Sequence, residues 1–278
     1  MAEFTIADIR RIDNLPTLPR VVIEVNRLMQ NPDVSLQQVG EVIEKDLALA
    51  PRILKLVNSS FFGLQAQVAS IPRAMVLLGI NQVRNAVYAV SVLEAMGGHD
   101  SEVQGMWRHG AAVAAVAQYL ARQAAPVHRE NAFTAGLLHD IGKFIIWHHF
   151  PDIYNDGGTA EDSGRHPAGL QRMPMNIRWH AEVGAYLAEL WQLPPILRDA
   201  IRHHHRPSAA EIDDTLAALV HVADLAVHLI NIPAAAVPLD MPDPNLNANF
   251  RTWLKNPHQW LGEVNDHIAA AGEFFKKD

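Results

Sequence analysis

At 278 residues the chain is long enough for one large domain or two modest ones. A hydrophobic share of 49% beside 19% charged residues is that of a packed globular protein, and a net charge of −7 argues against a basic nucleic-acid-binding face. There is no cysteine, which excludes disulfides and thiolate metal sites, so any metal must be held by nitrogen and oxygen donors.

The elements read as helices almost throughout. Val21, Val22, Val25 and Leu28 form one apolar stripe at helical spacing; Val39, Val42, Ile43 and Leu47 form a second, with Ser35 as its N-cap. A helix with Pro51 near its start carries Ile53, Leu54 and Val57. Two more are predicted over 71–79 and 81–96, split by Gly79 and capped by Asn81, and Gly97-Gly98 closes this half. A long helix over 101–123 follows, ended by Pro126, then one helix over 131–149. Glycines, prolines and polar residues predict an irregular loop over 152–175. Helices resume over 176–190, 195–205 and 212–230, prolines interrupt at Pro233, Pro238, Pro242 and Pro244, and a last helix spans 261–275. No strand alternation of useful length appears, so the expected fold is all-α. No stretch has the length of a signal peptide or a bilayer span, and a soluble, cytoplasmic protein is expected, with no membrane partner.

The fifteen histidines all fall after residue 98. His139-Asp140 lies in an apolar run, Gly136-Leu-Leu-His-Asp-Ile-Gly-Lys143, where burying both groups is costly unless a partner compensates. A divalent metal is such a partner, and a carboxylate here can bridge two of them. Lys143, one turn beyond His139, is placed to neutralise charge on a phosphate oxygen. His109 is the polar residue on an Ala/Val face, and His180 begins a helix at the edge of the 152–175 loop. His203-His204-His205 exceeds what helix capping requires; His204 and His205 are taken as ligands, with His203 facing outward. Asp224 sits in an apolar helix between His221 and His228, where a plain Asp–His hydrogen bond competes with a metal. The candidate metal set is therefore His109, His139, Asp140, His180, His204, His205 and Asp224, with Asp140 and Lys143 as catalytic candidates. The other histidines, His99, His128, His148, His149, His166, His258 and His267, are read as surface groups.

The order of these ligands resembles the HD superfamily of all-α phosphohydrolases. The first half is similar to the HDOD family in four blocks: Leu15-Pro-Thr-Leu-Pro19, Ile43-Glu-Lys-Asp-Leu-Ala-Leu-Ala50, Ile53-Leu-Lys-Leu-Val-Asn-Ser-Ser60 and Ile71-Pro-Arg-Ala-Met-Val-Leu-Leu-Gly79. One departure is Asp46-Leu47, where the family often has Asp-Pro. The resemblance implies an HDOD domain over 13–210, divided into an N-terminal helical half (13–98) and an HD-like metal-binding half (101–230), with a helical tail over 231–278. It also implies bacterial signal transduction, with signalling protein partners such as receiver or cyclic-dinucleotide proteins and no direct DNA binding. Many HDOD proteins have lost the HD ligands; here the pattern is retained. The related HD-GYP enzymes hydrolyse cyclic di-GMP and carry Gly-Tyr-Pro after the paired histidines. Here Arg206-Pro-Ser follows His205, which argues against that reaction and leaves metal binding untouched.

Three functions stay open at this point. The first is a regulatory HDOD module with a retained site for two divalent ions, drawn from Fe, Mn, Zn, Ni, Co or Mg. The second is an active metal-dependent phosphohydrolase on a nucleotide or cyclic dinucleotide, with Lys143 and Arg206 holding phosphate. The third is a metal-free HD relic acting as a protein-interaction scaffold. Leu15, Pro16, Pro19 and the 58–62 segment are read as packing and turn elements.

Overall fold

The computed structural model describes residues 6–31, 33–59, 62, 64–97, 101–150, 177–231, 242–255 and 257–274. Among them every regular element is helical: α1 (Ile6–Ile9), α2 (Arg20–Met29), α3 (Leu36–Glu44), α4 (Leu49–Val57), α5 (Ile71–Leu78), α6 (Ile80–Met96), α7 (Ser101–Ala124), α8 (Arg129–Leu138), α9 (Ile141–His149), α10 (Ile177–Leu190), α11 (Pro195–His203), α12 (Asp214–Asn231), α13 (Ala248–Lys255) and α14 (His258–Phe274). Short 3-10 turns at Pro126–His128 and Pro207–Ala209 link the pieces. The fold is all-α, as the periodicity implied. The loop expected over 152–175 lies outside the described residues.

Local chemistry sets several boundaries. Ser35 and Gln38 form a reciprocal capping box at the start of α3. Gly79, with φ of 88°, joins α5 to α6 through a backbone geometry that disfavours side chains; it is itself the N-cap of α6, so Asn81 falls in the first turn and does not cap. The side-chain amide of Asn58 donates to the Val68 carbonyl at 2.8 Å and accepts from the Val68 N–H at 2.7 Å. That pair holds the ends of the 59–67 segment together, and Phe62 from it meets the Phe133 ring of α8. The short helix α13 falls in a region the sequence reading left without an element. Prolines upstream hid its apolar positions, of which Phe250 is buried.

Helices α2 to α6 pack on one another, α1 lies against α10, and α6 lies against α8 to join them to the second half. Polar bonds reinforce that junction. Asn85 Nδ2 donates to Asn131 Oδ1 at 3.2 Å, Trp191 Nε1 to the Pro16 carbonyl at 2.8 Å, and Asn26 Nδ2 to the Gln192 carbonyl at 3.0 Å. The Leu-Pro-Thr-Leu-Pro segment thus presents a carbonyl to the far half as well as leading into α2. Buried apolar side chains of both halves form one connected cluster.

In the second half α7 is central, packed against α8, α12 and α14. Its Ala111, Val113, Ala114, Val116, Ala117, Leu120 and Ala121 are buried, which is the composition of a helix surrounded on all sides. Small residues let backbones touch: a Cβ on Gly136 would lie 2.8 Å from Ala114 Cα, and one on Gly110 2.8 Å from the Leu137 carbonyl. The side chains beside these contacts, His109 and His139, are thereby drawn toward each other. Leu138 and Ile141, fully buried on either side of the His-Asp pair, each contribute about 1.5–3 kcal/mol by leaving water.

Candidate metal centre

The single helix predicted over 131–149 is two helices. His139 and Asp140 occupy the break between α8 and α9, with Asp140 at φ −100° and ψ 11°. In a continuous helix the two side chains would diverge by about 100°. The break lets both face one point, so the correction has a chemical reason. Likewise α11 ends at His203, two residues early, which puts His204 and His205 on the turn that follows.

All seven candidate ligands come together. They fall into two clusters on either side of the Asp140 carboxylate. On the Oδ2 side, His139 Nε2 stands at 3.2 Å and His109 Nε2 at 3.6 Å, while His109 Nε2 and Asp224 Oδ1 are 3.0 Å apart. On the Oδ1 side, His180 Nε2 stands at 3.1 Å and His204 Nε2 at 3.8 Å, and His205 Nε2 lies 2.9 Å from His180 Nε2. His109, His139 and Asp224 form one group with metal-ligand spacing; His180, His204 and His205 form another; His139, Asp140 and His204 connect them. Lys143 Nζ donates to Asp140 Oδ2 at 2.5 Å.

The tautomers of two ligands follow from local bonds. His139 Nδ1 faces the Gly136 carbonyl at 2.7 Å, and His204 Nδ1 faces the Ile201 carbonyl at 2.7 Å. A carbonyl only accepts, so both Nδ1 atoms carry hydrogen and Nε2 is the nitrogen each ring turns toward the centre.

Electrostatics separate the clusters. Burial alone would raise the Asp140 carboxyl, but His139, Lys143 and His180 outweigh it and hold it well below the usual carboxylate range. Asp224 is likewise lowered despite burial, by His228, His109 and His139. Burial works against the His139 imidazolium, yet Asp140 and Asp224 raise it to about 10. In the other cluster burial pushes His180, His204 and His205 down, and their mutual repulsion and Lys143 add to it. His109 is also lowered, chiefly by burial.

The donor set fits a cation. His109 Nε2, His139 Nε2, Asp140 Oδ1 and Asp224 Oδ1 are buried without a hydrogen-bond partner, although several stand close to one another. Four unsatisfied polar atoms pointing at one another are expensive unless something charged sits among them. Imidazole nitrogens and carboxylate oxygens are the ligands of borderline divalent metals.

Other histidine readings change. His128, expected at the surface, is buried and stands 3.5 Å from Asp213 Oδ2. His203, expected to face outward, is largely covered, 3.6 Å from Asp199. Asp199 itself accepts the backbone N–H groups of Glu211, Ile212 and Asp213 at 2.8–3.1 Å and so fixes the start of α12, the helix that carries Asp224. His228 pairs with Asp224 as their spacing anticipates: its Nδ1 bonds the Asp224 backbone carbonyl at 2.9 Å and stands 3.1 Å from Oδ1. His221 does something the spacing did not disclose: it bonds the turn after α11. His99 and His166 lie outside the described residues.

The HDOD domain family matches residues 15–207 of the chain. The chain belongs to the HDOD domain family. A Treponema pallidum protein without an assigned function is 30% identical over 229 residues, which are 82% of this chain and 44% of that protein. The chain spans less than half the length of the curated relatives it matches. A crystal structure from Shewanella amazonensis, provisionally named a phosphohydrolase, aligns with a TM-score of 0.70 and 26% identity over 96% of this chain and 97% of that one. An HDOD domain protein of unknown function from Geobacter sulfurreducens aligns with a TM-score of 0.70 and 22% identity over 98% and 97%, a likeness of fold. No helix among the described residues is long and apolar enough to cross a membrane.

Proposed function

We propose that this chain is a regulatory HDOD module whose HD-like half holds two divalent ions bridged by Asp140. The observation that carries this reading is the position of the Asp140 carboxylate, with one oxygen toward each histidine cluster and four buried donor atoms left without hydrogen bonds. His109, His139, Asp224 and Asp140 would hold the first ion; His180, His204, His205 and Asp140 would hold the second. The 13–98 half supplies no comparable cluster of ligating side chains among its described residues and serves as the packing partner. Elemental analysis of protein purified without chelator tests the proposal: about two ions per chain are expected in wild type, and none would overturn it.

Phosphoester hydrolysis at the same centre is a second reading, favoured by Lys143 on the bridging carboxylate and by the activity named for the Shewanella protein. When bound, a pair of divalent ions supplies Lewis acidity toward a phosphoryl group. The chain's own part would be to hold those ions with buried side chains, to admit the water that is the nucleophile, and to orient a phosphate with Lys143. Release of phosphate from a nucleotide panel, or ring opening to the linear dinucleotide in a cyclic-dinucleotide panel, with Mn or Fe added and lost in Lys143→Met, would establish it. Silence across the panel with ions bound would leave the regulatory reading alone. Signalling proteins as partners, and a cytoplasmic setting, belong to this proposal.

A further inference from the structure

His221 is buried on α12, one turn before Asp224. Its two ring nitrogens face opposite ways along the backbone. Nδ1 donates to the carbonyl of His204 at 2.8 Å, and Nε2 accepts the N–H of Asp243 at 3.1 Å. One neutral tautomer satisfies both bonds. The Asp243 carboxylate then accepts the N–H of Ser208 at 2.9 Å and of Asn245 at 2.8 Å. The segment beginning at Pro242 therefore grips the turn that follows α11 at two places: at His204 through His221, and at Ser208 directly. Between those two grips lies His205.

We infer that His221 is a positioning residue that couples the C-terminal segment from Asp243 onward to the His180/His204/His205 ion cluster. The inference rests on the metal reading proposed above. A ligating histidine works only if its ring is held at the right place, and groups that hold ligands without touching the ion typically contribute ten- to hundredfold in affinity. His204 has its ring fixed by Ile201 and its carbonyl fixed by His221. Releasing the carbonyl frees the peptide between the two neighbouring ligands. The Oδ2-side cluster, built on α7, α12 and the α8–α9 junction, has no part in this turn.

The test is a set of substitutions at one position in the full chain, read as Mn affinity at each of two sites by calorimetry, with circular dichroism as the check on folding. His221→Leu removes both bonds, and the second dissociation constant is expected to rise about tenfold with the first unchanged. In His221→Asn the amide nitrogen falls where Nδ1 was, so the His204 bond survives while the link to Asp243 is lost, and the second constant is expected to rise less than in His221→Leu. In His221→Gln the amide falls where Nε2 was, and affinity behaves as in His221→Leu. Asp243→Ala is expected to give a smaller rise in the second constant together with faster exchange of the Ser208 amide. Equal weakening of both sites in His221→Leu, or none at either, overturns the inference; an unchanged second constant in Asp243→Ala overturns the coupling to the C-terminal segment. Wild-type protein that takes up no Mn would refute the metal reading and this coupling together, whereas ion uptake without the His221 pattern removes the coupling alone.

Discussion

The two clusters either side of Asp140 are built from the same residue types and behave differently. The Oδ2 side mixes two imidazoles with the carboxylates of Asp140 and Asp224, and their negative charge raises His139 to about 10. The Oδ1 side is three imidazoles and a single carboxylate oxygen, and burial, with repulsion from neighbouring cations, outweighs that carboxylate and pushes those imidazoles down. A cation entering the first must displace a proton; the second already offers free lone pairs. The surroundings would thus make one half of the proposed centre proton-linked and leave the other half indifferent near neutral pH.

The comparison breaks most completely at the shared group. Asp140→Ala should take ion content from about two per chain to below one, because each cluster loses an oxygen, and elemental analysis on folded protein reads it. Gly142→Ala is next. A Cβ there would overlap the His180 carbonyl oxygen and crowd the Gly184 nitrogen, so α9 and α10 must part and His180 must move. The second ion should be lost, with a stability cost of about 1–3 kcal/mol measured by urea titration. Chelation is broader in effect. At free Mn a hundred times the dissociation constant the ion stabilises the fold by about 2.7 kcal/mol, and removing it should lower Tm by about 5–10 °C in a melting scan.

The pH prediction sharpens the contrast. His139 in the ion-free protein is protonated below about 10, so affinity at the first cluster should climb roughly tenfold per pH unit from about 7 to 9, with one proton released per ion. The second cluster should hold its affinity over the same range. Calorimetry in buffers of different ionisation enthalpy separates the two. Smallest of all, His228→Ala removes a half-exposed bond to Asp224 and should weaken the first ion a few-fold while sparing the second.

The residues of the candidate centre were legible in the sequence because each is expensive where it stands. An Asp in Leu219–Leu225 surroundings, or a His on an alanine face, needs a compensating partner whatever the fold. The all-α class was legible for the complementary reason, that apolar residues repeat at helical spacing. What escaped notice depends on the third dimension. The break at His139-Asp140 leaves no proline or glycine at the pair itself and is set by where the side chains must converge. His128 is covered beside Asp213, which is far from it in sequence, whereas His203 and Asp199 stand four residues apart on α11, a helical spacing the sequence does contain. His221 looked like a companion of Asp224 because they share a helix, and only the path of the chain beyond residue 241 reveals its other neighbours.

His139 and His204 each donate Nδ1–H to a carbonyl three residues back, at the last turn of α8 and of α11. Each candidate ligand is therefore also the clasp on the end of its own helix. An ion drawing electron density from Nε2 makes Nδ1–H a stronger donor and tightens that clasp. Occupancy of the centre would then be written into how much two helix ends fray, a message that travels along backbone amides and requires no turnover at all.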